Sequence, residues 1–165
     1  MPFTPIHMGP GILVKSILQG SFSLMVFGWT QIVMDLQPLI VMITGEGDLH
    51  GYTHTYLGAV IIAVMSALSG KYLSQIGLVL IAVSRENPIK IKWWVAFLSA
   101  MIGSLSHVYL DSIMHSDVQP FYPVLMTNYF FGIVSISNLH KLCLYSGLLG
   151  AIIYYSTNWS KIKIK

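Results

Sequence analysis

The sequence predicts an all-α, polytopic membrane protein: a helical bundle of about four spanning helices plus a short N-terminal half-helix. Three observations carry that reading. Only 9% of the residues are charged while 55% are hydrophobic, and mean hydropathy is +0.69. A soluble domain carries roughly 25% charged residues to keep its surface wet. The apolar residues gather in nearly uncharged runs long enough to cross a bilayer, and most basic residues gather at the ends of those runs. With 165 residues, the chain is read as a single integral-membrane domain over 1–165. Disorder, nucleic-acid binding and an ordinary soluble enzyme are excluded on composition. The formal charge of +3 marks topology rather than a nucleic-acid footprint.

The elements follow from where charge is missing. The N-terminal segment MPFTPIHMGPG lacks the basic flank of a signal peptide and is interrupted by Pro2, Pro5 and Pro10, so it is expected to belong to the mature protein. Gly11 to Gln19 is apolar but covers only about half a bilayer as a helix. Ser21 to Ile43 is a first span, broken by a single charge, Asp35. Its length suits a hydrocarbon layer of ~30 Å. Thr55 to Ser84 carries only Lys71, beside Gly70, and reads either as one long kinked helix or as two shorter ones. Trp93 to Met114 is a third span, opened by a tryptophan pair near Lys90 and Lys92, as interfacial anchors often are. Leu142 to Thr157 is a fourth. Between them, Val118 to Leu139 is interrupted by Pro120, Pro123, Asn128 and Asn138. It is expected to be a partly buried connection with a short helix around Tyr129 to Ser135.

Basic residues set the expected orientation. Arg85, Lys90, Lys92, Lys161, Lys163 and Lys165 lie in one set of loops and the tail, whereas Thr44 to His54 and Ser116 to Leu139 hold none. The positive-inside rule puts the first set, and the C-terminus, in the cytoplasm and the other loops outside.

The chemistry concentrates on that outer side. In GSLSHVYLDSIMHSD, His107, Asp111 and His115 recur every fourth residue, within one stripe of a helix. The rise from His107 to His115 is about 12 Å, too long for both to reach one ion through bonds of ~2.1 Å. Either one metal takes His107 and Asp111, or two ions share the stripe with Asp111 between them. His50 and His54 stand four apart in HGYTH, where the second span begins; Asp35 lies within the first span and His7 in the Pro-bounded N-terminal segment. Desolvated ionisable groups on an apolar helix need compensation, and a divalent cation supplies it. Asp35, two turns below the outer end of its span, lies near the depth of His107. For His7 to join, Gly11 to Gln19 would descend from the site as a half-span, with Lys15 reaching toward the inner face.

Other polar residues have plainer readings. His140 beside Lys141 is an interfacial anchor, Cys143 a packing residue, and Glu46 and Asp48 in TGEGD a solvated turn, the alternative being that either lines the site's mouth. Ser106 precedes His107, but adjacent helix positions diverge by about 100° and form no dyad.

This set of motifs is PxH, an intramembrane Asp, HxxxH opening a helix, then GxxSHxxxD and a Pro/aromatic stretch. It resembles the YdjM-like metal-dependent hydrolase family of bacterial inner membranes, over roughly Pro5 to Pro123. More remotely, the order of His and Asp is similar to that of zinc-dependent phospholipase C. One position departs from the family pattern: Gly51 stands where the family carries Arg. The resemblance implies a multi-pass protein of the bacterial cytoplasmic membrane, and the basic loops place its metal site toward the outer face. It further implies one to three ions, most simply Zn²⁺ or another divalent transition metal. His54, His107 and Asp111 are then expected as direct ligands and Asp35 as ligand or bridge. His7 would complete a second site, and His115 is next in line. His50 or Asp117 would orient a ligand or act as general base. The expected activity is hydrolysis of a lipid phosphoester or a related amphiphile drawn from the bilayer. The alternative is a non-enzymatic membrane protein, a metal or ion permease or an accessory subunit, whose metal braces the fold.

Overall fold

A computed structural model of the chain describes residues 5–81 and 89–163. Pro2, Ser84, Arg85 and Lys165, which enter the reading above, lie outside the described residues. The described regular structure is helical, with no strand among those residues: α1 (Met8–Leu18), α2 (Leu24–Met34), α3 (Leu36–Thr44), α4 (Tyr56–Leu80), α5 (Trp93–Met114) and α6 (Ile136–Lys163). Among the described residues, four stretches are long and apolar enough to cross a membrane: Leu24–Thr44, Tyr56–Leu80, Trp93–Met114 and Ile136–Trp159. Helix α1 is the expected half-length element. Helix α2 packs on α4 and α5, α4 packs on α5, and α1 lies along α6.

Each junction has a local cause. The first span is interrupted at Asp35, between α2 and α3. Pro38 has no N–H for the carbonyl of Met34, and its ring crowds that carbonyl, which loosens the helix one turn back. Helix α4, by contrast, runs unbroken through Gly70 and Lys71, so the single long helix is the alternative that holds. Gly70 makes room for a neighbour, because a Cβ there would stand 2.7 Å from the Trp29 ring. Lys71 places its ammonium 3.9 Å from the centroid of the Trp93 ring. Helix α5 buries Ala96, Ser99, Ala100, Gly103 and Ser104, a stripe of small residues that lets helices approach closely where hydrocarbon supplies no hydrophobic drive. The same device joins α1 to α6: a Cβ on Gly9 would collide with the carbonyl oxygen of Cys143, and one on Gly150 with the backbone of Leu13. Cys143 itself is buried among Leu110, Ile113, Met114 and Leu139.

The last connection differs from expectation. Residues 129–135 form turns, and the final helix starts at Ile136, six residues before the expected Leu142. Gly132, at φ 75°, takes the left-handed conformation that a helix through this stretch excludes. Ser135 opens α6 by accepting from the N–H of Asn138 at 3.4 Å, so Asn138 belongs to a first turn rather than a break. Asn128 donates to the carbonyls of Ser112 (2.8 Å) and His115 (3.1 Å), closing the end of α5. The chain then folds over the end of the bundle where α4 begins, with the N–H of Tyr56 donating to the carbonyl of Pro120 at 2.8 Å. At the opposite end Lys15 donates to the carbonyls of Gln19 (2.7 Å) and Phe22 (2.8 Å).

Candidate metal centre

Four elements deliver side chains to one buried point: the turn before α1, the α2–α3 break, the turn before α4, and the last two turns of α5. His7, Asp35, His54, His107 and Asp111 are each at most 6% exposed. One ligand atom from each of Asp35, His54, His107 and Asp111 lies within 4.8 Å of the others. His107 Nε2 stands 3.1 Å from Asp111 Oδ2 and 3.4 Å from Asp35 Oδ1. His54 Nε2 is 3.4 Å from Asp111 Oδ2, and His7 Nε2 is 3.9 Å from Asp111 Oδ1. Donor atoms sharing one ion through bonds of ~2.1 Å lie at most ~4.2 Å apart. The four pair distances, 3.1, 3.4, 3.4 and 3.9 Å, fall inside that limit.

The tautomers are fixed from outside the cluster. The Gln31 amide is oriented by Gly103, whose carbonyl accepts from Gln31 Nε2 at 3.0 Å. That turns Gln31 Oε1 toward His107 Nδ1 at 2.6 Å, where it accepts the ring N–H. His54 is held through a longer relay. Gln37 Nε2 donates to the carbonyl of Asp48 at 3.2 Å, and Gln37 Oε1 accepts from the Thr53 hydroxyl. The Thr53 oxygen is thereby left to accept from His54 Nδ1 at 3.0 Å. With their protons on Nδ1, both rings present a bare Nε2 to carboxylate oxygens.

Such an arrangement sets lone pair against lone pair. Among the described residues, the Nε2 atoms of His7, His54 and His107 are all buried without a well-aligned hydrogen-bond partner. A second proton on His107 would relieve its own contacts, whereas a divalent cation relieves all of them at once and balances two desolvated carboxylates. Burial pushes the His7 imidazole down to about 4 and His54 below its usual value, keeping both neutral and available to a metal. The donor set of imidazole nitrogen and carboxylate oxygen suits zinc and its neighbours. The residues therefore fit a metal ion.

His115 does not stand with His107 and Asp111. Helix α5 ends at Met114, and His115 is extended (φ −120°, ψ 123°), so it leaves the stripe that continued helix would have given it. Its ring stacks on His50 with centroids 4.4 Å apart. His50, His115 and Asp117 form a second group whose ligand atoms also lie within 4.8 Å of one another. His50 Nδ1 is 2.8 Å from Asp117 Oδ2, so the carboxylate accepts and His50 Nε2 remains as the basic nitrogen. Burial alone would raise the Asp117 carboxyl, but the His50 hydrogen bond and charge outweigh it and hold the group low. The His115 ring is pushed down by burial and by His50. The two groups touch through His50 and His54, whose ring centroids are 5.0 Å apart.

The second group borders a cavity of about 580 Å³, lined by polar residues including Asp48, His50, Asp117 and Gln119. Glu46 and Asp48 are exposed in the turn after α3, and Asp48 borders that mouth. Gly51 has a local reason: a Cβ there would collide with the Gln37 amide nitrogen, which needs that space to reach Asp48. Gln31, Gln37 and Thr53 are missing from the sequence-derived set. Their signal is faint but present, since Gln31 lies four residues before Asp35 in an otherwise apolar span and therefore on its face.

Comparison with known proteins adds one finding. The family model described as "YdjM inner membrane protein" matches residues 14–163. That range takes in all the clustered residues except His7. No curated protein and no solved structure matches the chain. The chain belongs to the YdjM inner membrane protein family, as a multi-pass inner-membrane protein whose buried His/Asp group is able to bind a metal.

Proposed function

We propose that this protein is a metal-dependent hydrolase of membrane amphiphiles, acting on a lipid phosphoester. The observation that carries the reading is the side-by-side placement of two groups with different equipment: a buried set of nitrogens and carboxylates, and a pair of buried His50 with exposed Asp117 at a polar mouth. Asp35, His54, His107 and Asp111 hold the ion, with His7 at their edge. When bound, such an ion would supply Lewis acidity and lower the pKa of a water toward about 7.

The remaining work falls to the chain's own residues. Gln31 and Thr53 take the Nδ1 protons, which leaves Nε2 as the nitrogen aimed at the ion. Asp117 holds His50 in the tautomer whose Nε2 can accept a proton, as a carboxylate does for a catalytic histidine. Helices α2, α4 and α5 exclude water from the ion's inner side, which strengthens every charge interaction there. By the distribution of Lys and Arg the site faces outward and the C-terminus is cytoplasmic. A reporter active only in the cytoplasm is expected to work after Lys165 and to stay silent at Gly47. The reverse result moves the substrate pool to the inner leaflet.

The deciding experiment is turnover by purified, metal-analysed protein on a panel of phospholipids and isoprenoid phosphates. Release of a water-soluble or lipid product that depends on both the metal and His50 is expected. If nothing on the panel is hydrolysed and every change at the metal group lowers the melting temperature, the ion is a structural brace instead.

A further inference from the structure

The buried metal group has a second neighbour besides the polar mouth. A cavity of about 490 Å³ runs along α2, between Met8 of α1 and Leu73 and Ser74 of α4. On α2 it follows Leu24, Gly28, Gln31 and Asp35, positions that recur at intervals of four, three and four and so form one helical face. Met25, Ile32 and Leu73 on its walls are exposed by 40%, 42% and 45%, so the groove opens sideways, within the length of the membrane-crossing segments. Gly28 keeps it wide: a Cβ there would meet only the Met8 side chain, at 3.2 and 3.4 Å.

The groove is graded. From Leu24 to Trp29 its α2 lining is apolar, and toward its far end it meets Gln31, which orients His107, and Asp35, 3.4 Å from His107 Nε2. The metal group therefore stands between an apolar groove that opens to lipid and a polar cavity at the rim. That polarity profile matches an amphiphile lying lengthwise, with its chain inward along α2 and its head group at the ion.

Resting on the hydrolase reading only for the nature of the head group, we propose that the α2 groove is the binding site for one hydrocarbon chain of a phosphoester lipid, with the phosphate held at the Asp35 end. A chain in a bilayer is already out of water, and lipid tails are as apolar as the groove walls, so the groove adds little transfer energy. Its effect is positional: fixing the chain brings the phosphate to the ion in a restricted geometry.

The test uses dodecyl phosphate with a diazirine at the chain terminus, added to the metal-loaded protein in phosphatidylcholine vesicles and photolysed, with the labelled residues mapped by mass spectrometry. Labelling is expected to concentrate at Leu24, Met25 and Leu73 and to be competed by unlabelled dodecyl phosphate. Gly28→Leu, which fills the floor, is expected to reduce it at least tenfold without changing metal content. Ile32→Trp, on the groove wall, should do the same and guards against a folding defect in the first variant. Label spread evenly onto lipid-facing residues such as Ile61 and Met65, without competition, overturns the proposal, as does normal labelling in both folded variants. The two readings separate cleanly. Saturable groove labelling in a protein that hydrolyses nothing keeps the groove and removes the hydrolase, and hydrolysis with scattered labelling does the opposite.

Discussion

Two groups of histidine and aspartate sit 5.0 Å apart, measured between the His50 and His54 rings, yet they are built differently. In the buried group, hydrogen bonds run outward: His107 and His54 give their Nδ1 protons to Gln31 and Thr53, and nothing in the described residues hydrogen-bonds their Nε2 atoms. In the rim group the bond runs inward, from His50 to Asp117, and the Asp117 side chain remains 53% exposed. The first is poised to hold something that carries positive charge. The second is already internally satisfied and reaches solvent through Asp117, while His50 itself is buried. Similar residue types thus acquire different chemistry from the direction of one hydrogen bond.

The largest expected effect breaks the buried group. His107→Ala or Asp111→Ala removes a ligand and leaves the remaining carboxylate charge buried, so metal per chain, read by elemental analysis of protein purified without chelators, should fall to background. His140→Ala, at a half-buried position on α6, should leave it unchanged. Wild-type protein with no metal above background would end the comparison. Next, Asp117→Asn or His50→Ala should retain metal and fold in detergent. Turnover of a phosphoester should nonetheless fall by about a hundredfold or more if the pair is the general base. Loss of metal in these variants would place the rim among the ligands.

A smaller effect probes the supports. Gln31→Leu keeps every ligand but removes the acceptor that fixes the His107 tautomer, which should weaken metal affinity by about 10–100-fold in a chelator competition, with full stoichiometry at saturation. Thr53→Val should fall toward the lower end of that range. The mildest expected effect is that of His115→Ala, which removes a ring stacked on His50 and should change turnover by less than about tenfold without changing stoichiometry. Loss of one whole ion per chain in that variant would instead make the rim a second metal centre.

Much of this was legible from the residues alone. Spans are set by runs of apolar residues against a fixed bilayer thickness, and the third span agrees with α5 at both ends because Trp93 and His115 bound it sharply. The clustered acids and histidines were legible because an ionisable group inside such a run is too costly to leave uncompensated. His115 was misplaced by extending the four-residue rhythm one step past the helix end. The final helix was placed late because Asn138 looks like a breaker until Ser135 is seen to open the first turn ahead of it.

What the sequence determined by itself, then, is class, span positions and the identity of the charged members of the site, since each rests on local periodicity or on the cost of desolvating one side chain. What the tertiary structure decided is which of them meet and what state they are in. Gln31 and His107 are 76 positions apart, and Gln31 and Gly103 are 72 apart. Neutral amides and hydroxyls carry too small a burial penalty to stand out in an apolar run. Their role appears only when packing through Gly103 brings α2 against α5, the Gly103 carbonyl turns the Gln31 amide, and that amide points a bare histidine nitrogen at two carboxylates.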